Sequence, residues 1–378
     1  MWLIRPLLFC TLSLLYHPSS GAEAAPQPPD VAARAWLLMD HNSGHVLAAR
    51  NAETPVPPTT LTKLAVAYVL FQHLGEGSLR LTDRVTVSAY AADAKGASMF
   101  LRPNEQPSVE ELLKGMIVVS ANDAAVALAE HVAGSETVFV AQMNQTMRSI
   151  GLVHTHLVST SGLSVAGHVS SAHDLARLTM ALLHDFPQYY SWFSTKAFVH
   201  NGIRQYNRNA LLWRDPSADG IQTGQTRDAG YYLIGSSKRG GMRLIAVVLG
   251  APDENARFIA AQQLFDYGFR HFETRLLYAA RTAITEVRVW KGDQRALSLG
   301  PPRDLYLTLP RGWHERVRVR LTVKRDQTAP IRVDQPIGVL SVDLDGDAIT
   351  EHPLVALNDI GRGNVLQRTI DHLWRLFQ

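Results

Sequence analysis

The sequence predicts an α+β protein of two domains, and three observations carry that reading. Apolar runs of strand length stand near the N-terminus and again beyond residue 230, with helix-length apolar stretches between them. Near residues 276–281 the texture changes to period-two alternation, in which Val317, Val319, Leu321 and Val323 are set against Arg316, Arg318, Arg320, Thr322 and Lys324. The chain has 378 residues, enough for two independent cores.

In order along the chain, residues 35–39 and 45–49 are apolar-rich and flank Asp40-His41-Asn42-Ser43-Gly44, whose Asn and Gly supply a hairpin turn. Pro57 and Pro58 end the next segment. Residues 62–74 then form a helix with almost no polar face, since Leu64, Val66, Ala67, Tyr68, Leu70 and Phe71 are distributed all round it. Helices follow at 110–117, 122–132, 138–150 and 172–183. Residues 231–237 and 242–249 pair as a hairpin through Lys238-Arg239-Gly240-Gly241, and 256–267 is helical again. Strands at both ends of a helical middle imply one sheet built from distant segments. A separate β domain is expected over about 280–360, with strands at 305–309, 317–323, 337–344 and 354–357, so the first domain spans about 30–278.

The two ends carry their own signals. Arg5, the apolar run 7–16 and Ala22-Glu23-Ala24 are the parts of an export signal cleaved after Ala24, which places the mature protein outside the cytoplasmic membrane, in the periplasm. Cys10, the only cysteine, falls inside that signal, so the mature chain has no disulfide and no thiolate metal site. Residues 364–378 form an amphipathic helix: Leu366, Ile370, Leu373, Trp374 and Phe377 share one face, with Arg362, Arg368 and Arg375 around the other. The pattern alone fits an interfacial membrane anchor and a helix docked on its own β domain equally well.

Composition excludes several functions. Hydrophobic residues at 46%, charged residues at 19% and a net charge of +3 describe an ordinary globular chain. No basic stripe interleaved with aromatics points to nucleic acid. No cofactor or metal site is expected. Asp343-Leu344-Asp345-Gly346-Asp347 resembles the start of a calcium loop but lacks the downstream Glu, and reads as a hairpin turn. His154 and His156 are too close for a helical metal pair, and His131, His168, His173 and His184 read as surface or satisfied polar residues.

Three short clusters carry the chemistry: Thr60-Leu61-Thr62-Lys63, Ser120-Ala121-Asn122 and Gln222-Thr223-Gly224. Acyl transfer needs a hydroxyl nucleophile, a group to take its proton and donors aimed at the oxyanion. A hydroxyl three residues before a lysine at a helix start puts both on one face. Burial among Leu64, Ala65, Val66 and Ala67 lowers the amine's pKa, so that it can accept a proton. Ser120 is placed to relay a proton to the leaving group, and the Asn122 amide to hold a substrate carbonyl. Thr223 and an unencumbered Gly224 would let a substrate backbone lie along a sheet edge.

These clusters resemble the Ser-x-x-Lys, Ser-x-Asn and Lys-Thr-Gly motifs of penicillin-binding proteins and serine β-lactamases. Asp40 to Gly44, Gly96-Ala97-Ser98-Met99-Phe100, Ser161-Gly162-Leu163, Asn201-Gly202-Ile203-Arg204-Gln205, Asn207-Arg208-Asn209, Asp219-Gly220, Ala229-Gly230-Tyr231 and Gly268-Phe269-Arg270 extend the likeness to the D-alanyl-D-alanine carboxypeptidases, the low-molecular-mass penicillin-binding proteins. The resemblance implies a transpeptidase-like first domain, an antiparallel sheet with helices, followed by the small all-β domain and the terminal helix. It implies removal of the terminal D-Ala from peptidoglycan stem pentapeptides through an acyl-enzyme, binding of β-lactams, and attachment of the last helix to the outer face of the cytoplasmic membrane. Residue by residue it makes Thr60 the nucleophile, Lys63 the base and Ser120 the relay. Asn122, Gln222, Thr223, Gly224, Arg208 and Arg270 become substrate-binding, the two arginines as carboxylate anchors.

Two positions depart from the family pattern. Thr60 keeps the hydroxyl of the family's Ser but adds a methyl that restricts χ1. Gln222 replaces a Lys and keeps a donor without its charge, a change worth about 1.5–3 kcal/mol or 10- to 150-fold. Two readings therefore stand: an active, slowed carboxypeptidase, or a catalytically impaired homologue that binds stem peptides or envelope partners. A β-lactamase fits less well, because of the Ser-Ala-Asn triplet and the extra β domain.

Overall fold

The structure is a computed structural model that describes residues 26–163, 165–226, 228–324, 327–365, 369 and 371. The expected export signal and most of the terminal helix lie outside the described residues.

The first domain runs β1 (Ala35–Asp40), β2 (Val46–Arg50), α1 (Lys63–Gly75), a short α2 (Ala89–Ala92), α3 (Val109–Val119), α4 (Asn122–Ala133), α5 (Glu136–Ser149), α6 (Ala172–Asp185), a short α7 (Pro187–Tyr190), the hairpin β3 (Ala197–His200) and β4 (Ile203–Tyr206), a short α8 (Leu211–Arg214), β5 (Ala218–Thr226), β6 (Gly230–Arg239), β7 (Met242–Ala251) and α9 (Glu254–His271). Five strands form one antiparallel sheet in the order β2-β1-β7-β6-β5. Alternate residues of β1 and β7 feed different cores. Leu37, Met39, Ile245, Val247 and Leu249 face the helical layer built on α1. Trp36, Leu38, Leu244, Ala246 and Val248 face α9. Cover on both faces is why these strands read as continuous apolar runs rather than alternating ones. α1 has no polar face because Lys63 through Phe71 are all buried, which makes it the central helix of its layer. Serine or aspartate caps start the peripheral helices: Ser108 with Glu111 as a full capping box on α3, Ser135 on α5, Ser171 on α6 and Asp253 on α9. Each such cap contributes about 1 kcal/mol.

The second domain opens at β8 (Phe272–Tyr278), directly after α9 and before the boundary expected from the change in texture. It continues with β9 (Thr285–Trp290), β10 (Ala296–Gly300), β11 (Leu305–Pro310), β12 (Val317–Val323), β13 (Gln327–Thr328), β14 (Pro336–Leu344) and β15 (Asp347–Ala356). β8 pairs with β11, and the rest form a six-stranded sheet, β12-β14-β15-β10-β9-β13. Leu297, Leu299, Leu340, Val342 and Leu354 fill its core. The turn through Asp345 and Gly346 joins β14 to β15 with both residues at positive φ, and Arg316 and Arg320 of the basic strand face pair with Asp345 and Asp343.

A buried polar knot joins the domains. Asp40 at the tip of the first hairpin accepts from the Ser43 hydroxyl (2.9 Å) and from Thr274 Oγ1 (2.8 Å), and Thr308 Oγ1 lies 2.7 Å from Ser43 Oγ and 2.8 Å from Thr274 Oγ1. Near the other end of the chain the Lys291 N–H donates to Asp371 (2.5 Å), which ties the terminal segment to the β domain.

Candidate active site

The site forms at the open edge of the first sheet. Beyond Pro57 and Pro58, residues Thr59–Thr62 make a single 3₁₀ turn, and α1 begins at Lys63. The expected helix thus starts one residue later than the sequence suggests, on a tighter turn. Residues three apart eclipse on such a turn, which puts Thr60 and Lys63 on the same side. Lys63 is only 1% exposed. Its Nζ donates to Asn122 Oδ1 (2.5 Å) and to the Ser161 carbonyl (3.0 Å). Burial pushes its pKa down to about 7; Asp123 opposes the shift and Arg208 adds to it. At that pKa a large share of the amine is neutral near pH 7 and has a lone pair to accept a proton.

Thr60 Oγ1 does not bond to that amine. It donates to the Thr223 carbonyl of β5 at 2.7 Å. In this arrangement the hydroxyl and its expected base share a cleft without a hydrogen bond between them. Catalytic hydrogen bonds are often loose before substrate arrives.

The second cluster sits at the α3–α4 junction. Ser120 closes α3 in the left-handed region, φ 60°, and is buried, yet its hydroxyl has no protein partner among the described residues. Asn122 opens α4; its Nδ2 donates to the Lys95 carbonyl at 2.5 Å, which leaves one N–H for a ligand. Asp123 holds this corner. Its fully buried carboxylate accepts from Ser98 Oγ (2.6 Å) and from the N–H groups of Met99 and Leu101 (each 3.1 Å at closest).

The third cluster was expected just before a strand. The structure puts it inside one: Gln222, Thr223 and Gly224 belong to β5, which is the edge of the sheet and pairs Thr223 with Leu233 of β6. The edge position leaves one side of β5 unpaired along the cleft. Gly224 is required by close approach, since a Cβ there would stand 2.1 Å from Thr59 Oγ1 and 3.3 Å from Thr60 Oγ1. Gln222 is nearly buried, and its Oε1 accepts only from the Thr223 N–H at 3.2 Å. The buried Arg257 of α9 donates to the Gly224 carbonyl at 3.3 Å and pairs with Glu254 at 2.6 Å, stiffening β5 from behind.

The two arginines separate. Arg208 lies in a loop fixed by Asn207 (to the Thr195 carbonyl, 3.0 Å) and by Asn209. It is exposed and close enough to depress both Lys63 and Arg257. Arg270 is not brought to the cleft. It sits near the end of α9 and lines a cavity of about 450 Å³ with Arg239, Asp266, Phe269, Thr274 and Arg311. That cavity is at the β6–β7 turn, the opposite end of the sheet from Gly224, because a helix of 18 residues separates the two ends of α9.

Sequence reasoning assigned no role to Asp123, the Ser161 carbonyl, Gly162, His168 or Arg257. Asp123 had a local signal, its place directly after Asn122, and Ser161-Gly162-Leu163 was singled out only as part of the family likeness. His168 and Arg257 act through long-range contacts that leave no short pattern. Among the described residues no group of three His, Cys, Asp or Glu is arranged to hold a metal, and no single helix is long and apolar enough to cross a membrane.

Residues 22–253 match the family model described as D-alanyl-D-alanine carboxypeptidase, and residues 272–362 match that of the penicillin-binding protein 5 C-terminal domain. The chain is 40% identical to D-alanyl-D-alanine carboxypeptidase DacC of Escherichia coli strain K12, over 96% of this chain and 93% of the relative. It is 37% identical to DacA of Haemophilus influenzae over 97% of this chain and 94% of the relative. Among solved structures, penicillin binding protein 5 from Haemophilus influenzae superposes with a TM-score of 0.84 at 38% identity, covering 89% of this chain and 100% of that one. Penicillin-binding protein D2 of Listeria monocytogenes in an ampicillin-bound form matches with a TM-score of 0.57 at 30% identity over 64% of this chain and 100% of that one.

Proposed function

The chain belongs to the D-alanyl-D-alanine carboxypeptidase family of penicillin-binding proteins, and from that membership we propose that it is an active hydrolase with threonine as its acyl nucleophile. Its substrate class is the peptidoglycan stem pentapeptide ending in D-Ala-D-Ala, and β-lactams acylate the same residue. The observation that carries this reading is the setting of Lys63: a buried amine with its pKa pushed down to about 7, held by Asn122 Oδ1 and the Ser161 carbonyl in the cleft that also holds Thr60.

Thr60 Oγ1 leaves the Thr223 carbonyl, passes its proton to Lys63 Nζ and forms a bond to the carbonyl carbon of the penultimate D-Ala. The Thr60 backbone N–H faces the developing oxyanion. As the C–N bond breaks, Ser120 relays a proton to the departing D-Ala amine. Water then attacks the ester, with Lys63 again as base. The free N–H of Asn122 and the edge of β5 hold the substrate backbone, and Arg208 with the Gln222 amide binds its terminal carboxylate.

The test is covalent labelling of the purified protein by a fluorescent penicillin, read after denaturing electrophoresis, with D-Ala release from a pentapeptide measured alongside. Thr60→Ala abolishes both signals. Thr60→Ser with Gln222→Lys strengthens them. No label and no D-Ala from the unmodified chain would sink catalysis and leave peptide binding without turnover. The chain acts outside the cytoplasmic membrane, exported by residues 1–24. Residues 364–378 attach the chain to the membrane surface through Trp374 and Phe377. Fractionation of cells producing the chain with and without residues 364–378 checks the placement: both forms in the cytoplasm would refute export, and identical membrane association of both would refute the anchor.

A further inference from the structure

A chain of three hydrogen bonds, the last two buried, runs from the loop after α5 into the nucleophile turn, and each of its directions is fixed. The Val158 backbone N–H, which can only donate, points at His168 Nδ1 at 2.8 Å. Nδ1 is therefore the acceptor, and the imidazole carries its proton on Nε2. Nε2 lies 2.7 Å from Thr62 Oγ1, so Nε2–H donates there. The Thr62 hydroxyl, accepting from the ring, spends its own proton on the Thr59 carbonyl at 2.8 Å. His168 and Thr62 are 1% and 2% exposed, out of competition with water. From the other side Gly162 lies so near that a Cβ on it would stand 1.8 Å from the Thr59 oxygen.

The Thr59 carbonyl belongs to the same rigid peptide plane as the Thr60 N–H. In a trans peptide the two point in opposite directions, so whatever aims the carbonyl aims the N–H. Thr59 holds φ at 56°, a left-handed value that a threonine does not keep without support. The Thr60 N–H has no backbone partner among the described residues. A donor left open, on a plane clamped from behind, is what an oxyanion site requires.

We propose that His168, acting through Thr62 and the Thr59 carbonyl, is a positioning residue that aims the Thr60 N–H at the oxyanion. It touches no substrate. It sets the angle of one peptide group, and through the chain of bonds it polarises that group as a donor. The proposal rests on acylation at Thr60, and its test separates the two ideas.

Four variants are compared with the unmodified chain for the rate of acylation by a fluorescent penicillin at saturation and for the concentration that half-saturates it. Thr62→Val is isosteric and removes both ends of the relay. Thr62→Ser keeps them. His168→Gln keeps one acceptor and one donor near the ring nitrogens, and His168→Phe keeps neither. Thr62→Val and His168→Phe slow the saturated rate by about 10- to 100-fold, with half-saturation nearly unchanged, because an oxyanion donor acts on the transition state. Thr62→Ser and His168→Gln recover most of that loss. A merely structural role would move the melting temperature and leave no such split. Should His168→Phe fail to fold, the isosteric Thr62→Val carries the comparison. Thr62→Val at the unmodified rate, or Thr62→Ser as slow as Thr62→Val, overturns the proposal. ¹⁵N spectra of the imidazole give a reading independent of turnover: a neutral ring protonated on Nε2 is required, and one protonated on Nδ1 overturns the chain of bonds. If the unmodified protein forms no acyl-enzyme, the same four changes are read on the Thr60→Ser, Gln222→Lys background. Loss of the nucleophile is thereby told apart from loss of the aim. If that background is also silent, the acyl-transfer reading falls, and the aiming role with it.

Discussion

Asn122→Asp tests the base. Asn122 Oδ1 already receives a hydrogen bond from Lys63 Nζ at 2.5 Å, so the substitution replaces a neutral acceptor with a carboxylate at contact distance. Lys63 stands lowered from 10.5 to about 7, chiefly by burial. That difference sets the amount of usable base: at pH 7 about half the amine is neutral, against roughly one part in 3,000 at an unperturbed pKa. An opposite charge within about 4–6 Å favours the charged form and raises the pKa by about 1–3 units. The rising limb of acylation against pH therefore moves from a midpoint near 7 to one between about 8 and 10. At pH 7 the rate falls by about 5- to 500-fold, and the gap narrows as pH rises. The substituted side chain also loses its N–H to the Lys95 carbonyl, a cost that does not change with pH. The shape of the profile, not its height, is thus the decisive quantity. Quenched time courses with a fluorescent penicillin from pH 5.5 to 10 give the kinetic curve. Carbon-13 lysine NMR gives the titration of Lys63 without needing turnover. The reasoning fails if the unmodified chain acylates at a rate independent of pH between 6 and 9, or if the two proteins share one midpoint.

Three further outcomes are expected. Gly162→Ala puts a Cβ 1.8 Å from the Thr59 carbonyl oxygen at a φ of +77°, and no rotamer relieves a clash with backbone; stability drops by about 1–3 kcal/mol and labelling at least tenfold, and normal labelling in a normally melting variant would refute the close approach. His168 is held neutral, its pKa pushed from 6.5 down to about 4 mainly by burial, so the unfolded chain binds the extra proton first and stability is lost as pH falls from about 6.5 toward 4. Urea unfolding at pH 7 and 4.5 should show up to about 3 kcal/mol of acid destabilisation from this group, reduced in His168→Gln; an equal loss in both proteins removes His168 as the cause. Thr308→Val leaves the hydroxyls of Ser43 and Thr274 each short of a partner in the buried junction, at about 1–3 kcal/mol, and calorimetry should show the two domains melting further apart, whereas a single unchanged transition would show that the knot does not couple them.

The order of elements was legible where burial imposes a plain pattern. β1, β7 and α1 are apolar on every side because each is covered on every side, and the alternation of β12 survives because Arg318 and Arg320 stay outward, Arg320 paired with Asp343. β5 was not legible as a strand. Gly220, Gln222, Thr223, Gly224 and Gln225 have weak strand propensity, and only the contact with the nucleophile turn explains the residues chosen. The β3–β4 hairpin escaped for a related reason, since it is stabilised from outside, for example by His200 on Glu105 at 2.9 Å. In the site, Thr60, Lys63, Ser120, Asn122, Thr223 and Arg208 were readable as a set through their resemblance to a family. Arg270 had equal standing by sequence and stands at the wrong end of α9, because adjacency to a family motif says nothing of which end of a helix meets the cleft. His168 read as an ordinary satisfied histidine. It is satisfied, but both of its partners are distant in the chain and one belongs to the nucleophile turn.

The two departures from the family pattern differ in kind. Gln222 changes the charge along the substrate's path and leaves the frame alone: β5 keeps its register, and Arg257 still holds the Gly224 carbonyl. Thr60 changes the moving part itself. Its hydroxyl rests on the Thr223 carbonyl, and a β-branched side chain has few χ1 wells in which to rest. The turn that carries it packs so closely on β5 that a Cβ on Gly224 would stand 3.3 Å from the Thr60 hydroxyl. Everything that receives the hydroxyl after it turns is in place: a neutral-capable amine, its two acceptors, the unpartnered Ser120 and an open N–H on a clamped peptide plane. On the proposed mechanism the rate is governed by how often one side chain adopts one rotamer, a cost that precedes chemistry and is equal for every substrate. Thr60→Ser should then raise acylation by the same factor for a pentapeptide and for a penicillin, while Gln222→Lys should favour whichever carries its carboxylate nearer β5. Unequal gains from Thr60→Ser would show that the methyl obstructs the substrate itself rather than the rotation.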